Sequence, residues 1–202
     1  MICQMDKKKV YCFDFDGTLT RKDTLIEFIR YSKGDFQLLI GLLIYSPLLV
    51  LMKCHLYPNW KVKQKFFTFY YKGMSAEKFN QNCQAFAHDR SNLLRKRAVL
   101  KLHEALYRGC QVLVVSASPD LWVRPFVGNG PVVIGTQLEV IDGRITGRFK
   151  TKNCYGPEKV NRIKAVLKGP REDYEIFAFG DSRGDREMLN FADQGFFKPF
   201  RD

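Results

Sequence analysis

Three times along this chain a short β-branched and aromatic run stops at a polar cluster, always in the same order. Val10-Tyr11-Cys12-Phe13 ends in Asp14-Phe15-Asp16-Gly17-Thr18, and Gln111-Val112-Leu113-Val114-Val115 ends in Ser116-Ala117-Ser118-Pro119. Glu175-Ile176-Phe177-Ala178-Phe179 ends in Gly180-Asp181-Ser182-Arg183-Gly184-Asp185. Helical patterns follow the second and third of these, over Leu121 to Phe126 and Asp185 to Phe191. Apolar strands that do not alternate, separated by helices, predict a parallel sheet buried on both faces. Ligands of such sheets bind beyond the carboxyl ends of the strands, so the three polar clusters are expected to meet in one cleft.

The rest of the chain fits around that sheet. Pro157 to Leu167 predicts a helix, with Pro157 in its first turn, Val160, Ile163 and Leu167 on one face and Gly169-Pro170 as its stop. Ser91 to Tyr107 predicts another, with Val99, Leu102 and Leu106 on one stripe and Gly109 beyond its end. Asp142-Gly143, inside alternating Leu138 to Phe149, is a hairpin signal. Between Asp23 and Asn92 the strand and helix rhythm gives way to helical, aromatic-rich sequence. The expected fold is therefore α/β: a Rossmann-like parallel sheet with helices on both faces and an inserted helical cap. The core takes residues 1–21 and 93–202, and the cap residues 22–92.

Composition narrows the partners. With 33 Lys and Arg against 21 Asp and Glu, the formal charge is +12, which favours phosphorylated metabolites, nucleic acid or an acidic membrane surface. Cys3, Cys12, Cys54, Cys83, Cys110 and Cys154 are widely spaced with no CxxC, which argues against a zinc site or a disulfide framework and for reduced thiols. His55, His88 and His103 lack metal-ligand spacing. Charged residues break up the first ten positions, leaving no apolar core for a signal peptide, so the expectation is a cytoplasmic protein. Phe36 to Met52 carries no charge, yet falls short of the ~20 residues of a membrane span and is interrupted by Gly41, Ser46 and Pro47. Two short helices packed in the cap are expected. The competing reading is a re-entrant or interfacial contact at the inner face of an anionic membrane.

Asp14 and Asp16, two residues apart in extended chain, point to the same side of a strand end. Adding Asp181 and Asp185 puts four carboxylates in one cleft, where they repel unless a hard cation or protonation offsets them. Magnesium suits oxygen ligands of this kind, and a carboxylate beside a bound phosphate can attack phosphorus. Thr18 and Ser116 are small hydroxyl donors at strand ends, and Lys159 supplies positive charge for a transferring phosphoryl group.

Asp14-Phe15-Asp16-Gly17-Thr18-Leu19-Thr20, then Ser116, Lys159 and Gly180 to Asp185, resemble the motifs of the haloacid dehalogenase superfamily of phosphohydrolases, in order and across nearly the whole chain. The resemblance implies that Asp14 is the nucleophile and Asp16 the general acid and base. Magnesium is then held by Asp14, the Asp16 carbonyl and Asp181, with Asp185 supporting the metal site. Thr18 and Ser116 bind phosphate, and Lys159 neutralises nucleophile and phosphate. Aspartate at position 16 implies a phosphatase or phosphotransferase, because dehalogenases lack that acid and the related transport ATPases carry threonine there.

The helical insert resembles that of the phosphoserine phosphatase branch. Asp23 stands where that branch carries glutamate, Ala117-Ser118-Pro119 replaces a glycine pair, and Gly184 replaces an asparagine. The phosphatidylglycerophosphatase C type is more similar, through the uncharged stretch, the Ser-Pro after the second motif and Cys154-Tyr155-Gly156-Pro157-Glu158-Lys159. It implies a lipid phosphate substrate, against a small soluble phosphate in the phosphoserine phosphatase reading. A non-enzymatic alternative rests on Trp60-Lys61-Val62-Lys63-Gln64-Lys65-Phe66-Phe67, whose alternating bases and aromatics suit single-stranded nucleic acid or an anionic membrane. An amphipathic helix with a wet basic face explains the same pattern and is the favoured reading, and no nucleic-acid-binding motif accompanies it.

Overall fold

The computed structural model describes residues 7–201, so Cys3 lies outside the described residues. The three expected strands form as β1 (Lys8–Phe13), β2 (Gln111–Pro119) and β6 (Tyr174–Gly180). β1 lies between the other two, parallel to both, in a five-stranded sheet of order β3-β2-β1-β6-β7. The outer strands, β3 (Val132–Thr136) and β7 (Gln194–Phe197), are not apparent in the sequence pattern. β3 follows the turn-rich Gly128-Asn129-Gly130-Pro131, and β7 is a four-residue exposed edge strand, so neither presents a long apolar run.

Pleating explains why the central strands read as continuous apolar runs. Val10 and Cys12 join Leu113, Val115, Ile176 and Ala178 on one face, under Ile163 and Met188 of α7 (Pro157–Val166) and α8 (Arg186–Phe191). Tyr11 and Phe13 join Val112, Val114 and Phe179 on the other, against Ala98 and Leu102 of α5 (Lys96–Tyr107). The hairpin forms as β4 (Leu138–Ile141) and β5 (Arg144–Phe149), with Asp142 and Gly143 both at positive φ, as a two-residue turn of that type requires.

Between β1 and β2 the chain makes four further helices: α1 (Thr24–Lys33), α2 (Asp35–Lys53), α3 (Asn59–Tyr71) and α4 (Ala76–Asp89). It leaves and re-enters the sheet region side by side. Arg21 N donates to Leu93 O and Arg95 N to Leu19 O, each at 2.8 Å. Phe28 of α1 packs on Phe79 and Phe86 of α4 and on Trp122 of α6 (Asp120–Val127), with ring centroids 5.1 to 5.4 Å apart. The aromatic helices therefore share one apolar cluster with the sheet. On α3, Val62, Phe66 and Phe67 are buried while Lys61 and Lys65 are exposed, as an amphipathic helix requires.

α2 corrects the expectation of two short packed helices. It is one continuous helix of 19 residues, and most of it is exposed. Pro47 does not break it because the Ser46 hydroxyl donates to the Leu43 carbonyl at 2.8 Å, the acceptor that a proline nitrogen cannot serve. Gly41 faces α3, where any Cβ would run into the Tyr70 hydroxyl, and that hydroxyl donates to Gln37 O at 3.0 Å. Leu38 is buried on this side, whereas Phe36, Leu39, Leu43 and Val50 are 73%, 52%, 64% and 59% exposed on the opposite face. It is the one helix among the described residues long and apolar enough to cross a membrane.

Candidate active site

Asp14 immediately follows β1, and its backbone N–H donates to Phe179 O of the neighbouring β6 at 2.9 Å, which fixes it at the carboxyl edge of the sheet. Its carboxylate accepts from Lys159 Nζ at 2.5 Å. Lys159, on α7, is only 2% exposed and spends all three protons, donating also to Asp185 Oδ1 at 2.6 Å and to Val115 O at 2.7 Å. Burial pushes the Asp14 carboxyl up to about 7, against the opposing pull of Lys159. Burial alone would lower Lys159, but Asp14 and Asp185 outweigh it and hold the ammonium charged.

Asp16 is held by a different set. Its Oδ1 accepts from Thr24 N at 2.8 Å and Thr24 Oγ1 at 2.6 Å, and its Oδ2 from Ser118 Oγ at 2.5 Å. Trp122 Nε1 in turn donates to Thr24 Oγ1 at 3.1 Å. Burial, followed by the nearby charge of Asp23, raises the Asp16 carboxyl above its ordinary range even though Lys63, Ser118 and Thr24 favour the charged form. A carboxylic acid fixed in direction and raised in pKa is suited to give and take a proton.

Asp181 and Asp185 follow β6. Asp185 Oδ2 accepts from Ser182 N at 2.9 Å, Ser182 Oγ at 2.8 Å and Asp181 N at 3.2 Å, so with Lys159 on its other oxygen it is fully engaged and shapes the loop that carries Asp181. These contacts outweigh its burial and keep it below the usual carboxylate range. Asp181 has one oxygen paired with Arg201 and the other, Oδ1, buried with no hydrogen-bond partner among the described residues. Ligand oxygens of Asp14, Asp181 and Asp185 lie within 4.8 Å of one another. This clustered oxygen set, with one orphaned carboxylate atom, fits a hard cation. Gly17, at φ +86°, is required between them, because a Cβ there would collide with the Asp181 carboxylate.

A cavity of about 520 Å³ is lined by Asp14, Asp16, Lys159, Asp181 and Asp185, so five of the seven residues singled out in the sequence come together. Thr18 and Ser116 are buried and do not line it. Thr18 Oγ1 has no hydrogen-bond partner among the described residues, and Ser116 Oγ accepts from Ser118 N at 3.0 Å. Asp23 lines the cavity and also caps α1, accepting from Leu25 N at 2.9 Å. Four contributors were not legible beforehand: Thr24 and Ser118, which hold Asp16, Arg201 on Asp181, and Lys63 in the cavity wall. Ser118 meets Asp16 across 102 residues, a pairing that only the parallel arrangement of β1 and β2 creates.

The pattern of the haloacid dehalogenase-like hydrolases matches residues 12–190 of this chain. Protein CicA of Caulobacter vibrioides is 36% identical over 196 residues, covering 94% of this chain and 85% of its own length. Among solved structures, a Bordetella pertussis Tohama I protein with unknown function superposes with a TM-score of 0.77 at 20% identity, over 92% of this chain and 87% of its own. A substrate-bound phosphoserine phosphatase superposes with a TM-score of 0.64 at 21% identity, over 95% and 85%. At these identities the two structures bear on the fold.

Proposed function

The chain belongs to the haloacid dehalogenase-like hydrolases, and we propose that it is a magnesium-dependent phosphomonoesterase working through an aspartyl-phosphate on Asp14. The observation that carries this is the pairing at one cavity of a lysine-bonded carboxylate, Asp14, with a second carboxyl, Asp16, whose pKa is raised. The phosphoserine phosphatase whose structure is similar was captured with its substrate, which supports a phosphate ester as the substrate here.

In the first step an Asp14 oxygen attacks phosphorus, the bond to the alcohol oxygen breaks, and Asp16 gives that oxygen its proton. In the second, Asp16 takes a proton from water as the water oxygen attacks phosphorus and the bond between Asp14 and phosphorus breaks. Inorganic phosphate leaves and both carboxyls return to their starting states. Lys159 holds Asp14 in position and balances its charge. Magnesium would be held by Asp14, the Asp16 carbonyl and Asp181, with Asp185 behind them, and would draw charge from the phosphate oxygens. The helices of residues 22–92 serve as the cap that reads the alcohol.

Phosphate release from p-nitrophenyl phosphate, with magnesium and with chelator, tests the class. Asp16→Asn tests the proton transfer. It is expected to slow alkyl phosphates at least ~10-fold more than p-nitrophenyl phosphate, whose leaving group needs little protonation. Equal losses would assign Asp16 to holding the metal or the fold.

The exposed apolar face of α2 supports a lipid phosphate presented at an anionic membrane. Trp60, 43% exposed with Lys61 5.6 Å from its ring, and Lys53 at the end of α2 are side chains of the interfacial and basic kinds that such a surface would use. Leu39 and Leu43 project outward, so replacing both with Ser is expected to cut co-sedimentation with anionic vesicles at least ~10-fold while leaving Tm nearly unchanged. Wild-type protein that ignores such vesicles would favour a soluble phosphate ester instead.

A further inference from the structure

Arg201 reaches the carboxylate cluster from a stretch of chain that takes no part in the two chemical steps. Beyond β7 the chain is tied down at the same sheet edge as the site. Lys198 N donates to Gly180 O at 2.7 Å, and Arg95 Nη1 donates to Phe200 O at 3.4 Å. The buried Phe200 ring stacks on Phe179 and Phe13, with centroids 5.4 and 6.3 Å apart. Phe13 directly precedes Asp14, and Phe179 lies shortly before Asp181. Arg201 is thereby delivered to the cavity wall, where its guanidinium pairs with Asp181 Oδ2 and its side chain stays 44% exposed. A fixed positive charge thus sits on one of the three carboxylates whose oxygens cluster as cation ligands do, and like charges this close repel.

Counted as ionised, the three carboxylates face two cations, Lys159 and Arg201, which leaves one negative charge. A dication alone turns that into one positive charge, and a phosphate dianion beside it restores a negative one. Without Arg201 the dication alone would already neutralise the cluster. We propose that Arg201 restrains the cation affinity of this site through its charge on Asp181, and so makes magnesium and phosphate bind as a coupled pair. The coupling is reciprocal, so the phosphate group gains from magnesium the same factor that magnesium gains from it. This deepens the magnesium-dependent phosphatase reading and rests on it. Lys159 cannot play the same part, since it is spent on Asp14, Asp185 and Val115 O and does not touch Asp181.

Titration calorimetry of the full chain with magnesium, alone and with saturating inorganic phosphate, reads this without turnover. In wild-type protein phosphate is expected to tighten magnesium binding at least ~10-fold. In Arg201→Gln, magnesium alone is expected to bind at least ~5-fold more tightly than in wild type, and the tightening by phosphate to be at least ~3-fold smaller. Arg183→Gln is the control, because Arg183 is exposed in the same cavity wall but has no ion pair with Asp181 among the described residues. It is expected to change magnesium affinity less than ~2-fold. Magnesium affinity in Arg201→Gln that is unchanged or weaker overturns the inference, since the guanidinium would then serve to orient Asp181. Equal tightening in Arg183→Gln overturns it as well, by assigning the effect to net charge alone. Wild-type protein that binds magnesium with no gain from phosphate also overturns it and leaves the metal site standing. Wild-type protein that binds no magnesium, with or without phosphate, overturns the magnesium-dependent reading itself.

Discussion

Asp14→Asn is expected to lower kcat at least ~10³-fold while the protein stays folded. Asparagine keeps the shape of the side chain and an oxygen that can still accept from Lys159, so the contact now 2.5 Å long has a replacement. What disappears is the anionic oxygen that forms the bond to phosphorus, and no neighbour can take its place. Asp185 has both oxygens engaged, and Asp16 is turned toward Thr24 and Ser118. Acid quenching during turnover of a substrate labelled in its phosphoryl group reads the intermediate directly. Wild-type protein should retain label and Asp14→Asn should not. A purified variant with near wild-type turnover would remove Asp14 from the mechanism.

The sequence exposes this site well because each strand announces its own end. Asp14, Ser116 and Asp181 stand where an apolar run stops, and parallel pairing of β1 with β2 and β6 necessarily brings those ends to one edge. Lys159 is harder to see, being one base among many in a helix, and only its depth in the fold shows that it serves two aspartates. Ser118 lies in a polar cluster expected at the cleft, but nothing in the sequence marks it or Thr24 as a partner of Asp16. Serine and threonine at such positions read as turn and cap residues, and their shared target is set by tertiary packing. α2 is misjudged for a related reason. Gly41 and Pro47 are helix breakers by propensity, but one faces the Tyr70 hydroxyl and the other has its lost hydrogen bond covered by Ser46. The exposure of its apolar face has no counterpart in the pattern of residues, since an apolar run reads the same whether it meets protein or lipid.

Lys159→Met is expected to destabilise the fold as well as to stop catalysis. Methionine fills similar space, but its removal of the ammonium leaves Asp14 and Asp185 as buried carboxylates without their shared cation. Breaking a buried ion pair from one side costs roughly 3–5 kcal/mol, or about 6–20 °C in Tm for a chain of this size. The pH dependence has a definite sign. Burial already pushes Asp14 from an ordinary 3.8 up to about 7, and loss of Lys159 raises it further. A carboxyl whose pKa is raised by folding binds more protons in the native state, so the stability it contributes is present at low pH and is lost as pH rises. The Tm gap between variant and wild type should therefore be smaller near pH 5 than near pH 8. Adding Asp185→Asn to Lys159→Met removes one of the two stranded charges, and should recover part of the lost Tm without restoring turnover. Thermal melts of the three proteins at both pH values measure all of this. A Lys159→Met protein that melts within about 2 °C of wild type at pH 8 would show that the lysine is not what makes the buried carboxylates tolerable.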